Sequence, residues 1–136
     1  MNLNKLIPMI TTADIKATKA FYVDQLGFDI VFDMPNYLHV SYNNGPELAF
    51  MPGGEFPPMG KGVHRQTFTG VGLAISIPTV SADKKAEEFK AKGIELMMDV
   101  EDKPWGWRSV FIVDPNGLVL DFSHELEAAK DKTAAA

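Results

Sequence analysis

The chain has 136 residues, 46% of them hydrophobic, and a formal net charge of -5. That is enough apolar side chain for one sizeable core or two small ones, which excludes a disordered chain. Its basic residues form no run longer than a pair such as Lys84-Lys85, which argues against a nucleic-acid partner, and the absence of cysteine removes disulfides, thiolate nucleophiles and Cys-based zinc sites.

In chain order the first element is a short apolar strand around Ile7, Met9 and Thr11. Asp14 can cap a helix in which Ile15, Thr18, Tyr22 and Leu26 recur on one face, with Gly27 as the stop. Three β-rich runs follow, Phe28 to Phe32, Tyr37 to Tyr42 and Glu47 to Met51, separated by Pro35-Asn36 and Asn43-Asn44-Gly45-Pro46, the pattern of a meander. Next comes a long segment rich in Pro and Gly, residues 53–69, which is a linker or a lid.

The order then repeats. After an apolar strand near Gly72, Ser81 caps a helix whose buried stripe is Ala82, Ala86 and Phe89, whose lysines and glutamates make a wet face, and whose stop is Gly93. Strands are expected over Ile94 to Val100, Arg108 to Val113 and Leu118 to Ser123, the last two joined by the tight turn Asp114-Pro115-Asn116-Gly117. The two copies are offset by roughly sixty-five positions. The expected fold is therefore α+β, two tandem βαβββ modules with curved mixed sheets enclosing a cleft. We expect residues 1–136 to form one domain, with module one at about 4–52, module two at about 70–124, and a fraying tail at 125–136. No stretch approaches the roughly 18 apolar residues of a membrane span. Met1-Asn2-Leu3-Asn4-Lys5 also lacks the apolar stretch of a signal peptide, so the expected location is the cytoplasm.

Phe21-Tyr22-Val23-Asp24-Gln25-Leu26-Gly27-Phe28, and Trp105-Gly106 followed by Asp114-Pro115-Asn116-Gly117, resemble the glyoxalase/bleomycin resistance/extradiol dioxygenase (vicinal oxygen chelate) superfamily across about Leu6 to Ser123. Metal-dependent members of that family carry His, Gln or Glu ligands on the first and last strand of each module. The resemblance puts Ile7, Ala49, Gly72 and Asp121 at those places, and one carboxylate among them cannot hold a divalent cation against water. His39, His64 and His124 fall elsewhere. The expectation is no metal and no cofactor.

The family branch without metal contains the bleomycin resistance proteins, and Phe28 to Phe32, Tyr37, Trp105-Gly106 and Pro8 are similar to its features. The resemblance implies a homodimer with shared clefts and possible exchange of N-terminal strands. It also implies a small-molecule ligand, aromatic and possibly cationic, that is sequestered without chemistry. Flat ligands are held by stacking, for which Phe32, Tyr37, Trp105 and Trp107 are the candidates. Strand alternation adds Glu47, Met51 and Asp121 to the lining; His39 and Arg108 complete the candidate ligand-binding set. A glyoxalase-like lyase, isomerase or dioxygenase-related enzyme is the alternative; cofactorless epimerase, isomerase or hydrolase chemistry would run on Asp121 or Glu47 as general base. In the binding reading no residue is catalytic.

Overall fold

The structure, a computed structural model, describes residues 4–53 and 67–127. It is α+β, with two modules that each carry one four-stranded mixed sheet. The chain divides into two compact units, Met1–Val71 with Pro115–Gly117, and Gly72–Asp114 with Leu118–Ala136.

In the first unit the strands are β1 (Met9–Thr12), β2 (Asp29–Met34), β3 (Tyr37–Ser41) and β4 (Glu47–Pro52), in the sheet order β1-β4-β3-β2. β1 runs parallel to β4, and the other neighbours are antiparallel. A parallel pair needs a crossover, and the helix between β1 and β2 supplies it. That helix, α1 (Ile15–Lys19), starts where Asp14 accepts a hydrogen bond from the Ala17 N–H at 3.0 Å. It then widens into a π-helical turn over Ala20–Gln25, closed by the Leu26 N–H donating to the Phe21 carbonyl at 2.9 Å. The expected single α-helix to Leu26 is corrected here, because apolar spacing does not distinguish the two windings. Tyr22 is fully buried and meets Phe50 of β4 at 4.9 Å and Phe28 at 5.2 Å between ring centres. Each such side chain contributes about 1.5–3 kcal/mol by burial.

The second unit repeats the plan with β5 (Ala74–Pro78), α2 (Ala82–Ala91), β6 (Met98–Asp102), β7 (Trp107–Val113) and β8 (Val119–Glu125), in the order β5-β8-β7-β6. Ser81 caps α2 by accepting from the Lys84 N–H at 3.2 Å. At the other end Gly93 adopts φ +75 and the Ile94 N–H turns back to the Phe89 carbonyl, so Ile94 belongs to the helix end. The expected strand from Ile94 is thereby shortened to begin at Met98, where the ladder with Phe111 starts. Phe89 packs edge-on against Phe122 of β8 at 5.2 Å, and Ala82 and Ala86 are buried beside it. β8 runs on through His124 to Glu125, beyond the expected end at Ser123. The long segment and the tail fall largely on residues 54–66 and 128–136, outside the described residues, and so does His64.

Within the first unit, the turn Pro115–Gly117 is held by side chains. Thr12 Oγ1 donates to Asn116 Oδ1 at 2.5 Å, and Asn116 Nδ2 donates to Thr18 Oγ1 at 3.2 Å. Gly70 runs against the same turn so closely that an added Cβ would stand 2.0 Å from the Gly117 carbonyl oxygen. Both partners are backbone, so no side chain can yield. We expect Gly70→Ala to cost about 3 kcal/mol or more in urea unfolding. Gly72→Ala, whose Cβ would meet nothing within 4 Å despite φ +80, is expected to cost only about 1 kcal/mol.

Candidate functional site

Alternation along a strand gives each sheet two unlike faces. In the first, Ile10, Leu38, Val40, Leu48 and Phe50 are buried on the side of α1. The register aligns the other set on the helix-free face: Met9 beside Ala49, Ala49 beside His39, His39 beside Phe32, and Tyr37 beside Met34. Glu47 and Met51 share that face with Ala49. Five of the predicted residues, Phe32, Tyr37, His39, Glu47 and Met51, therefore come together on one surface. Phe32 is 52% exposed and meets Tyr37 edge-on at 6.1 Å, whereas Met51 is buried. A break in register between Ile30 and Phe32 brings Phe32 to this face.

At the centre of that surface lies a charged group. Glu47, 8% exposed, is ion-paired through Oε2 to Lys5, while its Oε1 lies 2.6 Å from His39 Nε2. The His39 contact is electrostatic, since its angle departs from hydrogen-bonding geometry. The Lys5 ammonium first, and the nearby His39 ring second, hold the Glu47 carboxyl below the usual carboxylate range against the opposing effect of burial. Sequence reading missed Lys5, which precedes the first strand and follows no strand period.

On the second sheet, Ile77, Val110, Ile112, Leu120 and Phe122 are buried on the side of α2. Its helix-free face carries Ser76 beside Asp121, Asp121 beside Phe111, Ser109 beside Ser123, and Trp107 beside Glu125. Asp121 is 6% exposed, and its Oδ1, like the Ser109 hydroxyl, has no hydrogen-bond partner among the described residues. Burial pushes the Asp121 carboxyl up, while the Ser109 and Ser76 hydroxyls and the Lys103 charge act the other way. Lys103 itself lies 4.7 Å over the Phe111 ring and pairs with Glu101.

Trp107 begins β7, but Trp105 stands in the turn before it, where Gly106 takes φ +93 and donates to the Lys103 carbonyl. The two indoles meet edge-on at 6.5 Å, with Trp105 59% exposed. Trp105 thus lies in a turn and Trp107 in a strand. Arg108 lies on the other face: it binds Asp83 of α2 through Nε and Nη2 at 2.9 and 3.0 Å, and Asp102 through Nη1 at 2.9 Å. These partners raise its pKa further, and the Arg108 guanidinium in turn holds Asp83 below its usual range. An Arg108 bridge to Asp121 is ruled out by that arrangement.

The end of this sheet opens into a recess of about 510 Å³, bounded by Trp107, Pro78 and Val80 with Ser76, Thr79, Ser123, His124 and Glu125. Its size falls within the range of small-molecule sites. His124 is anchored there, because its Nδ1 accepts the Ala82 N–H at 3.0 Å. The part played by His124 and the β5 end was missed because β8 is longer than its turn signals implied.

The described residues do not assemble a ligand set for a catalytic metal. Ile7 precedes β1 and Gly72 precedes β5, so the register sets Met9 against Ala49 and Ser76 against Asp121 at the first-and-last-strand positions. Among the described residues no three His, Asp or Glu side chains gather as a ligand set. No described helix is long and apolar enough to cross a membrane.

Solved structures of the same fold are similar over nearly the whole chain. A glyoxalase/bleomycin resistance protein/dioxygenase from Nocardioides matches with a TM-score of 0.74 at 23% identity, covering 93% of this chain and 86% of that one. A lactoylglutathione lyase from Agrobacterium tumefaciens matches at 0.71 and 19%, covering 91% and 96%. TioX from Micromonospora sp. ML1 matches at 0.68 and 17%, covering 89% and 95%. No curated protein matches the sequence. The model of the Glyoxalase/Bleomycin resistance protein/Dioxygenase superfamily matches residues 6–122, and the chain belongs to that superfamily.

Proposed function

We propose that the chain is a metal-independent small-molecule binding protein of the bleomycin resistance type, which sequesters an aromatic, cation-bearing compound without making or breaking a bond. The observation that carries this reading is the recess walled by Trp107, with Glu125 among the residues that line it. A planar ring gains area against the indole and Pro78, and a cationic substituent gains a carboxylate partner. The exposed Phe32 and Tyr37 pair offers a second stacking surface in the first unit.

The same reading includes a cytoplasmic homodimer with shared clefts and possible N-terminal strand exchange. Support comes from β2, which leaves Ile30, Val31, Phe32 and Met34 exposed at a sheet edge, and from the exposed Leu6 and Met9 near the N-terminus. Apolar edges of this kind are normally covered.

A second reading, a glyoxalase-like lyase, isomerase or dioxygenase-related enzyme, is favoured by Asp121. A buried carboxylate with an unpaired oxygen and an upward-shifted pKa is suited to take a proton at a carbon next to a carbonyl.

Three outcomes are expected. Planar cationic antibiotics quench tryptophan fluorescence, and Trp107→Ala weakens their binding about tenfold, the loss of about 1.4 kcal/mol of stacking; absence of quenching across such a panel excludes the binding reading. Light scattering after size exclusion gives twice the chain mass, and Val31→Glu with Phe32→Glu returns it to one. Asp121→Asn raises the melting temperature at neutral pH by a few degrees, on the order of 1 kcal/mol. The sign follows from the raised folded value: the favourable protonated form is complete below the ordinary value of 3.8 and is lost as pH rises through the folded one. The advantage of the variant therefore grows across that window and vanishes in acid.

A further inference from the structure

We propose that a recess on the helix side of the first unit is a second small-molecule site, which takes an amphipathic monoanion, an aliphatic chain ending in one carboxylate. It is separate from the helix-free faces, and its case does not rest on the aromatic residues there.

One short helix cannot roof a four-stranded sheet. α1 has five residues and packs over β3 and β4, while every residue of β2 is exposed. Between α1 and the end of β2 lies a recess of about 430 Å³, within the range of small-molecule sites. Its apolar lining is Ile15, Met34, Pro35 and the fully buried Leu38. Met34 is 46% exposed, so apolar area there is left for a ligand to cover. No aromatic ring lines the recess among the described residues; it offers methyl and methylene groups to a chain.

Charge decides what the head of that chain must be. Lys16 and Lys19 stand three residues apart on α1 and both line the recess, with Asp33 the one carboxylate among the described lining residues. Lys19 Nζ donates to Asp33 Oδ2 at 2.6 Å, so those two charges cancel. The Lys16 ammonium has no hydrogen bond or ion pair among the described residues. The recess therefore carries one uncompensated positive charge, in a chain whose formal net charge is -5. A single carboxylate balances it, whereas a dianion exceeds it and a cation is repelled.

The test follows amide shifts of the ¹⁵N-labelled protein with three probes: octanoate, 1-octanol, which has the same chain without charge, and acetate, which has the head without the chain. Octanoate should give saturable shifts at Ile15, Lys16, Met34 and Leu38 and bind about threefold tighter than octanol, the size of an exposed charge contact, while acetate gives none. Lys16→Gln should bring octanoate down to the octanol level and leave octanol unchanged, which also shows the variant to be folded. Asp33→Asn releases Lys19 from its pair, so it should tighten octanoate about threefold further, again with octanol unchanged. A merely structural role for that pair would weaken both probes or neither. Octanol matching octanoate on the wild type, no effect of either variant on octanoate, or octanoate shifts that fall elsewhere overturns the proposal. So does a halving of the mass by octanoate in light scattering, which makes a second copy of the chain the occupant of the recess.

Discussion

Everything functional in this chain follows from one constraint: each four-stranded sheet has a single helix to cover it, and strand alternation makes the other face a separate set of residues. Tyr22 and Phe50 settle the register of the first sheet, because a slip by one residue would turn Phe50, Leu48 and Val40 off the helix and bring Ala49, Glu47 and His39 onto it. Phe89 and Phe122 do the same in the second, and with them the position of Asp121. The faces are therefore a consequence of core packing, and the loop after β5, through Thr79 and Val80, completes the recess at the end of the second sheet.

The two helix-free faces have diverged. On the first, Glu47 is buried with Lys5 and His39 at hand, so its charge is compensated and its pKa lowered. On the second, Asp121 is buried with hydroxyls and a more distant Lys103, so its pKa is raised. Opposite shifts on two buried carboxylates give opposite responses to acid: the Glu47 contribution is present above its ordinary value of 4.5 and fades as pH falls below it, whereas that of Asp121 fades as pH rises above 3.8. Paired copies of one module thus hold two chemically different surfaces.

Much of the fold was legible because its signals are local. The caps at Asp14 and Ser81, the stops at Gly27 and Gly93 and the alternation that opens β3 are each written within a few residues. Strand alternation likewise put Glu47 and Met51 on one face, whereas the place of His39 beside them needed the β3–β4 register. What failed depends on distant partners. The π-helical turn answers to packing around Tyr22, and the late start of β6 to its ladder with Phe111. Arg108 was misleading for the same reason, since residues next to each other in a strand face opposite ways and its partners on α2 and β6 lie far along the chain. Lys5 carried no signal at all, because its role exists only once β1 is laid beside β4.

The central claim is that the helix-free faces are the ligand surface. Titration of the ¹⁵N-labelled protein with acridine orange, a planar cation, followed by amide chemical shifts, tests it most directly. The account predicts saturable shifts concentrated on Phe32, Tyr37 and His39 or on Trp107, Ser123 and Glu125, with the outer surfaces of both helices unmoved. Shifts confined to the helices, or no saturable shift at all, would contradict it.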